Sequence, residues 1–178
     1  MAGLYSQEEV DDAVRRSLNP YKIGTYLPAA ETGIVLTAAT RTKISLPVSV
    51  VGAPNGFDIY LTDQGNALRF IGSGLGNGDT AIIRMDTMAS ILAATGSSTS
   101  VAFGACTRHY TEPLFTEAID IPGYSISRKM PNNDEGAVAL NAPFFELSDG
   151  DLIEICGESV QTITINITKF GFEAIELN

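Results

Sequence analysis

The chain carries a single histidine, His109, and two cysteines, Cys106 and Cys156, a thin stock of reactive side chains for 178 residues. A serine nucleophile needs a base and a sharp turn that presents it. Ser159, in Gly157-Glu158-Ser159-Val160-Gln161, lacks the closing glycine of a nucleophile elbow, and His109 has no partner pattern, so no catalytic triad is expected. One histidine and two cysteines do not supply the ligand spacing of a zinc centre, and no metal is expected. Asp149 and Asp151, and the run Asn132 to Glu135, offer oxygens of the kind calcium takes. The same residue types are what turns ordinarily use, and turns are the reading adopted here. Gly72-Ser73-Gly74-Leu75-Gly76-Asn77-Gly78-Asp79 fits neither dinucleotide nor Walker spacing, and a strand pattern follows it, so it reads as a loop and not as a phosphate cradle. Asn166-Ile167-Thr168 matches a glycosylation acceptor pattern but falls inside an apolar strand. The paired carboxylates of glycoside hydrolysis are defined by separation in space, and nothing in the sequence favours them. An enzyme is not expected, and neither is a cofactor.

Composition narrows the partners. A net charge of −10 with eleven scattered Lys and Arg argues against nucleic acid, whose binding needs clustered cations. No run approaches the ~20 apolar residues of a membrane span. Glu8 and Glu9 occupy the stretch where a secretion leader would be basic and then apolar, so no leader is expected. With 44% hydrophobic residues the chain has ample material for one core. Cys106 and Cys156 each sit in an apolar strand and read as small buried hydrophobes, with a disulfide as the alternative.

Any functional groups must be positioned by strands. Ile163, Ile165 and Ile167 alternate with Thr162, Thr164, Asn166 and Thr168, the pattern of a half-buried strand. Leu152 to Cys156 is a second strand, entered through the turn Ser148-Asp149-Gly150-Asp151. After Ile167 the apolar residues change parity to Phe170 and Phe172, then again to Ile175 and Leu177. Bulges near Lys169 and near Gly171 or Glu173 would keep all of them facing one core. Upstream, Ile44, Leu46, Val48 and Val50 alternate in a strand whose Pro47 belongs at an edge. Phe57 to Thr62 and Ala67 to Ile71 form a hairpin, Val101 to Ala105 resumes the alternation, and Met88 to Thr95 reads equally as strand or helix. Eight to ten short strands indicate an all-β, antiparallel β-sandwich or jelly roll.

Residues 1–43 read as a separate helix and arm ahead of this domain, which spans 44–178. Ser6-Gln7-Glu8-Glu9 is a capping box, Val10, Ala13, Val14 and Leu18 share a face at helical spacing, and Asn19-Pro20 ends the helix. So short a helix needs a partner for its apolar face, either its own domain, a sister subunit or another protein.

The order KISLPVSV, GFDIYLTDQGNALRFIG, SVAFGAC, VALNAPFFELSDGDLIEIC and TITINITKFGFEAIEL resembles the trimeric, tumour-necrosis-factor-like jelly-roll modules of tailed-bacteriophage virion proteins. The recurring elements are Phe103-Gly104, Leu140-Asn141 and Leu147-Ser148-Asp149-Gly150-Asp151, within a likeness that covers Ile44 to Leu177. The resemblance implies a homotrimer at the surface of a virus particle, a capsid decoration (cement) or head-fibre protein bound to the major capsid protein or another virion protein. Val10, Val14, Leu18, Tyr21 and Tyr26 would then be the attachment residues of the arm. Outward apolar residues such as Tyr60, Leu152 and Tyr124 would give subunits surface to bury. The competing expectation is a receptor- or glycan-binding tail-fibre module using Tyr110, Tyr124 or the glycine-rich loop.

Overall fold

A computed structural model describes residues 6, 7, 10, 14, 19–62, 65–72, 75, 79–93, 99–108, 110, 111, 114, 115, 119–130 and 135–177. Fourteen strands are found among them. β1 (Lys22–Tyr26), β2 (Glu31–Leu36), β3 (Thr42–Lys43), β4 (Ser49–Val50), β5 (Phe57–Thr62), β6 (Gly65–Phe70) and β7 (Ala81–Ala93) come first. β8 (Thr99–Arg108), β9 (Tyr110–Thr111), β10 (Leu114–Phe115), β11 (Ile119–Met130), β12 (Glu135–Leu147), β13 (Leu152–Ser159) and β14 (Ile163–Glu176) follow. Twelve of them build two six-stranded sheets, and β9 and β10 pair only with each other. The front sheet runs β12-β7-β14-β1-β4 with β2 also beside β14, and the back sheet runs β11-β8-β13-β6-β5 with β3 also beside β13. Every strand pairing is antiparallel, and neighbours in the sheets are mostly distant in sequence, which makes the sandwich a jelly roll.

The front sheet is organised by β14, whose isoleucines 163, 165 and 167 are buried to within 2%. A register shift between Ile167 and Lys169 against β7 brings Phe170, Phe172 and Ala174 onto the same buried side. That is the first bulge the sequence calls for. The second is absent. From Lys169 to Glu176 the ladder is continuous, so Ile175 points away from the core and Glu176 points in.

The segment expected to be an arm is largely part of the sandwich. β1 pairs with β14 from Lys22 opposite Ile175 to Tyr26 opposite Gly171, β2 pairs with the start of β14, and β3 pairs with β13. Tyr21 is a core residue at 7% exposure, its ring edge-on to Phe70 at 5.2 Å between centroids. Gly56 makes room for it. Its φ of +66° suits glycine, and a Cβ there would overlap the Tyr21 ring. The described residues ahead of Tyr21 lie outside the sheets. Gln7, Val10 and Val14 have helical backbone, with the Val10 amide donating to the Ser6 carbonyl at 3.1 Å. Leu18 and the Glu8-Glu9 half of the capping box lie outside the described residues.

Residues 44–48 are not a sheet strand but a crossing. Ile44 still donates to the Ile155 carbonyl of the back sheet at 2.8 Å, while Ser49 pairs with Tyr26 of the front sheet. Ile44 and Leu46 point inward at 4% exposure as the chain switches sheets and closes one side of the sandwich. The stretch Met88 to Ala93 is strand, fixed by β12 on one side and β14 on the other. The turn before β13 is as expected: Gly150 has φ +87°, Asp151 accepts from the Ser148 amide at 2.7 Å, and Asp149 from the Gly72 amide at 2.8 Å. Both carboxylates thus serve backbone donors.

Leu152, Glu154 and Cys156 alternate with the core residues Ile153 and Ile155, so they lie on the outer side of the back sheet, and all three are buried. The expectation that Leu152 offers surface to a sister subunit fails, because its exposure is 0%. Cys156 is held in a disulfide and is not a free thiol, which corrects the preferred reading of the cysteines. Beside it Lys43 meets Glu154 at 2.6 Å, with side chains 10% and 1% exposed, and donates to the Gly65 carbonyl at 3.2 Å. The ammonium therefore bridges β3, β13 and β6 where the neighbour of β13 changes. Removing one partner of a buried pair strands the other charge, at a cost of about 3–5 kcal/mol. Lys43→Ala is expected to destabilise the fold by that order in urea unfolding. A Lys43→Met, Glu154→Leu double variant is expected to recover most of the loss.

Candidate self-association surface

The outward side of the front sheet is the broadest candidate surface, and its composition follows from strand parity. On β7 the residues Ala81, Ile83, Met85 and Thr87 point inward, leaving Ile82, Arg84, Asp86 and Met88 outside. On β14, beyond the bulge, Lys169, Gly171, Glu173 and Ile175 are outside. On β1 the outward residues are Lys22, Gly24 and Tyr26. Register aligns these into three rows across the sheet: Met88, Gly171 and Tyr26; Asp86, Glu173 and Gly24; Arg84, Ile175 and Lys22.

Gly171 and Gly24 occupy the middle of this array, and without side chains they form the floor of an open groove of about 840 Å³. Its walls are apolar. Met88 is 70% exposed, Val51 58%, and Ile175 adds its side chain from the adjoining row. Its rim is charged, with Asp86 and Glu173 opposed in register and Lys22 at the far side. Asp86 is held by Arg84 at 3.1 Å and by a hydrogen bond from the Asn141 side chain on β12. An exposed, mostly apolar trough on a sheet face, with charges at its edge, has the anatomy of a protein contact.

Farther along the same face, Glu135 of β12 accepts from Thr168 of β14 at 2.8 Å and from Ser90 of β7 at 2.9 Å. These two hydroxyls, with a smaller contribution from Lys169, hold the Glu135 carboxyl below its ordinary value of 4.5. Asn166, whose amide oxygen accepts from the Gly33 amide at 3.0 Å, and Thr168 are both engaged within the sheet, which accounts for the acceptor-like triplet structurally.

Of the attachment residues named from sequence, Val10 and Val14 are exposed at 43% and 52%, and Tyr26, at 47%, stands at the edge of the groove. Tyr21 is spent on the core, so among the described residues Val10, Val14, Tyr21 and Tyr26 do not share one exposed site. Tyr60 is half-buried under the Arg69 guanidinium, 4.4 Å from its ring centroid, while Asp58 clamps that arginine. His109 and most of the glycine-rich loop lie outside the described residues, as do the side chains of Tyr110 and Tyr124. Among the described residues no group of three or more His, Cys, Asp or Glu is placed to hold a metal, and no helix is long and apolar enough to cross a membrane. Sequence reasoning missed Gly24, Val51, Met88, Gly171 and Ile175. The one available signal was the Phe170-x-Phe172 alternation, which puts Gly171 and Glu173 on the opposite side.

A carboxyl whose folded pKa is depressed contributes stability above its unfolded pKa, and that contribution is lost as pH falls through the folded value. For Glu135 the window opens near 4.5 and extends to more acid pH. Thr168→Val removes the larger hydrogen bond. It is expected to move the Glu135 carboxyl titration, followed by NMR, upward toward the ordinary value.

No family model and no curated protein matches the sequence. Among solved structures the chain is similar to Eiger TNF from S. frugiperda, with a TM-score of 0.60 at 8% identity over 90% of this chain and 94% of that one. It is also similar to murine APRIL at pH 5.0, with a TM-score of 0.55 at 10% identity over 89% of this chain and all of that one. The chain therefore has a TNF-like jelly-roll fold.

Proposed function

We propose that this protein is a noncatalytic structural module that assembles as a homotrimer through the outward side of its front sheet. We further propose that it sits on a virus particle as a capsid decoration (cement) or head-fibre protein, bound to the major capsid protein or another virion protein. The observation that carries the assembly is the groove floored by Gly24 and Gly171 and walled by Met88, Val51 and Ile175. Leaving Met88 and Val51 mostly in water exposes apolar area that a second copy would cover, at about 25 cal/mol per Å² removed from water. A glycine floor also lets a neighbouring side chain approach the backbone closely.

The virion placement is supported by the strand-order resemblance and by the amino-terminal residues. Val10 and Val14 lie four residues apart with helical backbone and both remain exposed, as a helix that docks on a separate protein would leave them. Because Tyr21 belongs to the core, the attachment segment is the stretch before it, and Tyr26 belongs instead to the trimer surface.

Light scattering on the purified chain is expected to give three times the mass of one copy. Met88→Glu, which puts a carboxylate beside Asp86 and Glu173, is expected to give a folded monomer with an unchanged β-sheet circular dichroism spectrum. A monomeric parent protein would overturn the assembly. Deleting residues 1–18 is expected to leave the trimer intact and abolish its sedimentation with particles. Undiminished binding would shift attachment to the jelly roll.

A further inference from the structure

The disulfide at Cys156 is the feature that the proposed function does not use. Cys156 is 4% exposed, on the outer side of the back sheet, in a buried row with Leu152 and Glu154. The only other cysteine of the sequence is Cys106, on the adjacent strand β8. Register sets Glu154 opposite Cys106 and Cys156 opposite Gly104, so the two cysteine positions are one diagonal step apart on neighbouring antiparallel strands. The strands are already joined by an eight-pair ladder from Leu152 to Ser159. The bond therefore adds a covalent tie to strands that a ladder of backbone pairs already joins.

We infer that this disulfide is a redox lock, closed after folding and only once the chain has left a reducing compartment. Cytosolic thiol pools keep cysteine pairs reduced, while oxidising surroundings let a disulfide form and persist. Closure by a small-molecule disulfide balances in two exchanges. One cysteine thiolate attacks the donor and expels a first thiol; the second cysteine attacks the mixed disulfide and expels another. Two protein thiols and one donor disulfide become one protein disulfide and two small thiols.

Burial slows exchange at this bond in both directions, because oxidant and reductant alike reach sulfur only when the strands beside Cys156 part locally. A reducing thiolate must reach sulfur to break the bond, and the row containing Cys156 excludes solvent. The ion pair of Lys43 and Glu154 adjoins the same row, so opening it to a reductant would also hydrate a buried charge pair. The folded protein is expected to exchange more slowly than the unfolded chain, in closing the bond as in opening it.

The test uses the full chain made in a bacterial cytosol. Cells are quenched in acid and alkylated with iodoacetamide under denaturing conditions, and intact mass is read. Two adducts are expected at harvest, and none after the folded, purified protein is incubated with oxidised glutathione until the adduct count no longer changes. The oxidised form is expected to melt about 5–15 °C above the reduced form. Cys156→Ser is expected to melt at the reduced value in either buffer. Two adducts persisting after glutathione, an unalkylatable pair already present at harvest, or equal melting temperatures of the two forms would each overturn the lock. None of these readouts depends on trimer formation or on particle binding.

Discussion

Backbone pairing in a sheet has a period of two, and along β14 that constraint decides which side of the whole front sheet meets the core. β14 touches β7 along one edge and β1 and β2 along the other, so its phase is passed to three strands at once. One extra residue at Thr168 resets the phase after the isoleucine run and puts Phe170 and Phe172 inside. The same reset sends Gly171, Glu173 and Ile175 outward. Core and candidate surface are therefore two sides of a single decision, taken at one bulge.

What the sequence revealed follows the same physics. Alternation is local, so the strands at Phe57 to Thr62, Leu152 to Cys156 and Ile163 to Thr168 were legible, and so was the jelly-roll class. The first parity change was legible because three isoleucines and two phenylalanines cannot all be inward without a bulge. The second was misread for a physical reason. An apolar side chain in a strand points by default to the core, whereas Ile175 lies against an outer groove. β1, read as Lys-Ile-Gly-Thr-Tyr, has too little alternation to declare itself, and its strand character comes from partners some 150 positions away. Glycines 24 and 171 look like breakers in a linear reading. Only register shows that they meet across two strands as a smooth floor.

The back sheet shows how polar and apolar residues share a buried exterior. Outward residues of β13 would ordinarily be solvated, yet Leu152, Glu154 and Cys156 are covered, and the carboxylate among them is tolerated because Lys43 reaches it from β3. The chain then leaves β3 by crossing to the front sheet, with Ser45 accepting from the Asn66 amide and the Asn66 side chain donating to the Leu46 carbonyl. That crossing covers a sandwich side that would otherwise present open backbone.

Pairing of Lys22 with Ile175 sets the entry to the domain and its final strand shoulder to shoulder; there the Glu176 amide donates to the Tyr21 carbonyl, and the Tyr21 amide donates to the Glu176 carboxylate. Whatever precedes Tyr21 and whatever is joined after Glu176 must consequently depart from one corner of the molecule. A cargo spliced after Glu176 would crowd whatever is attached ahead of Tyr21, while a circularly permuted version, with the two neighbouring strand ends bridged by a short linker, would keep every strand in its seat.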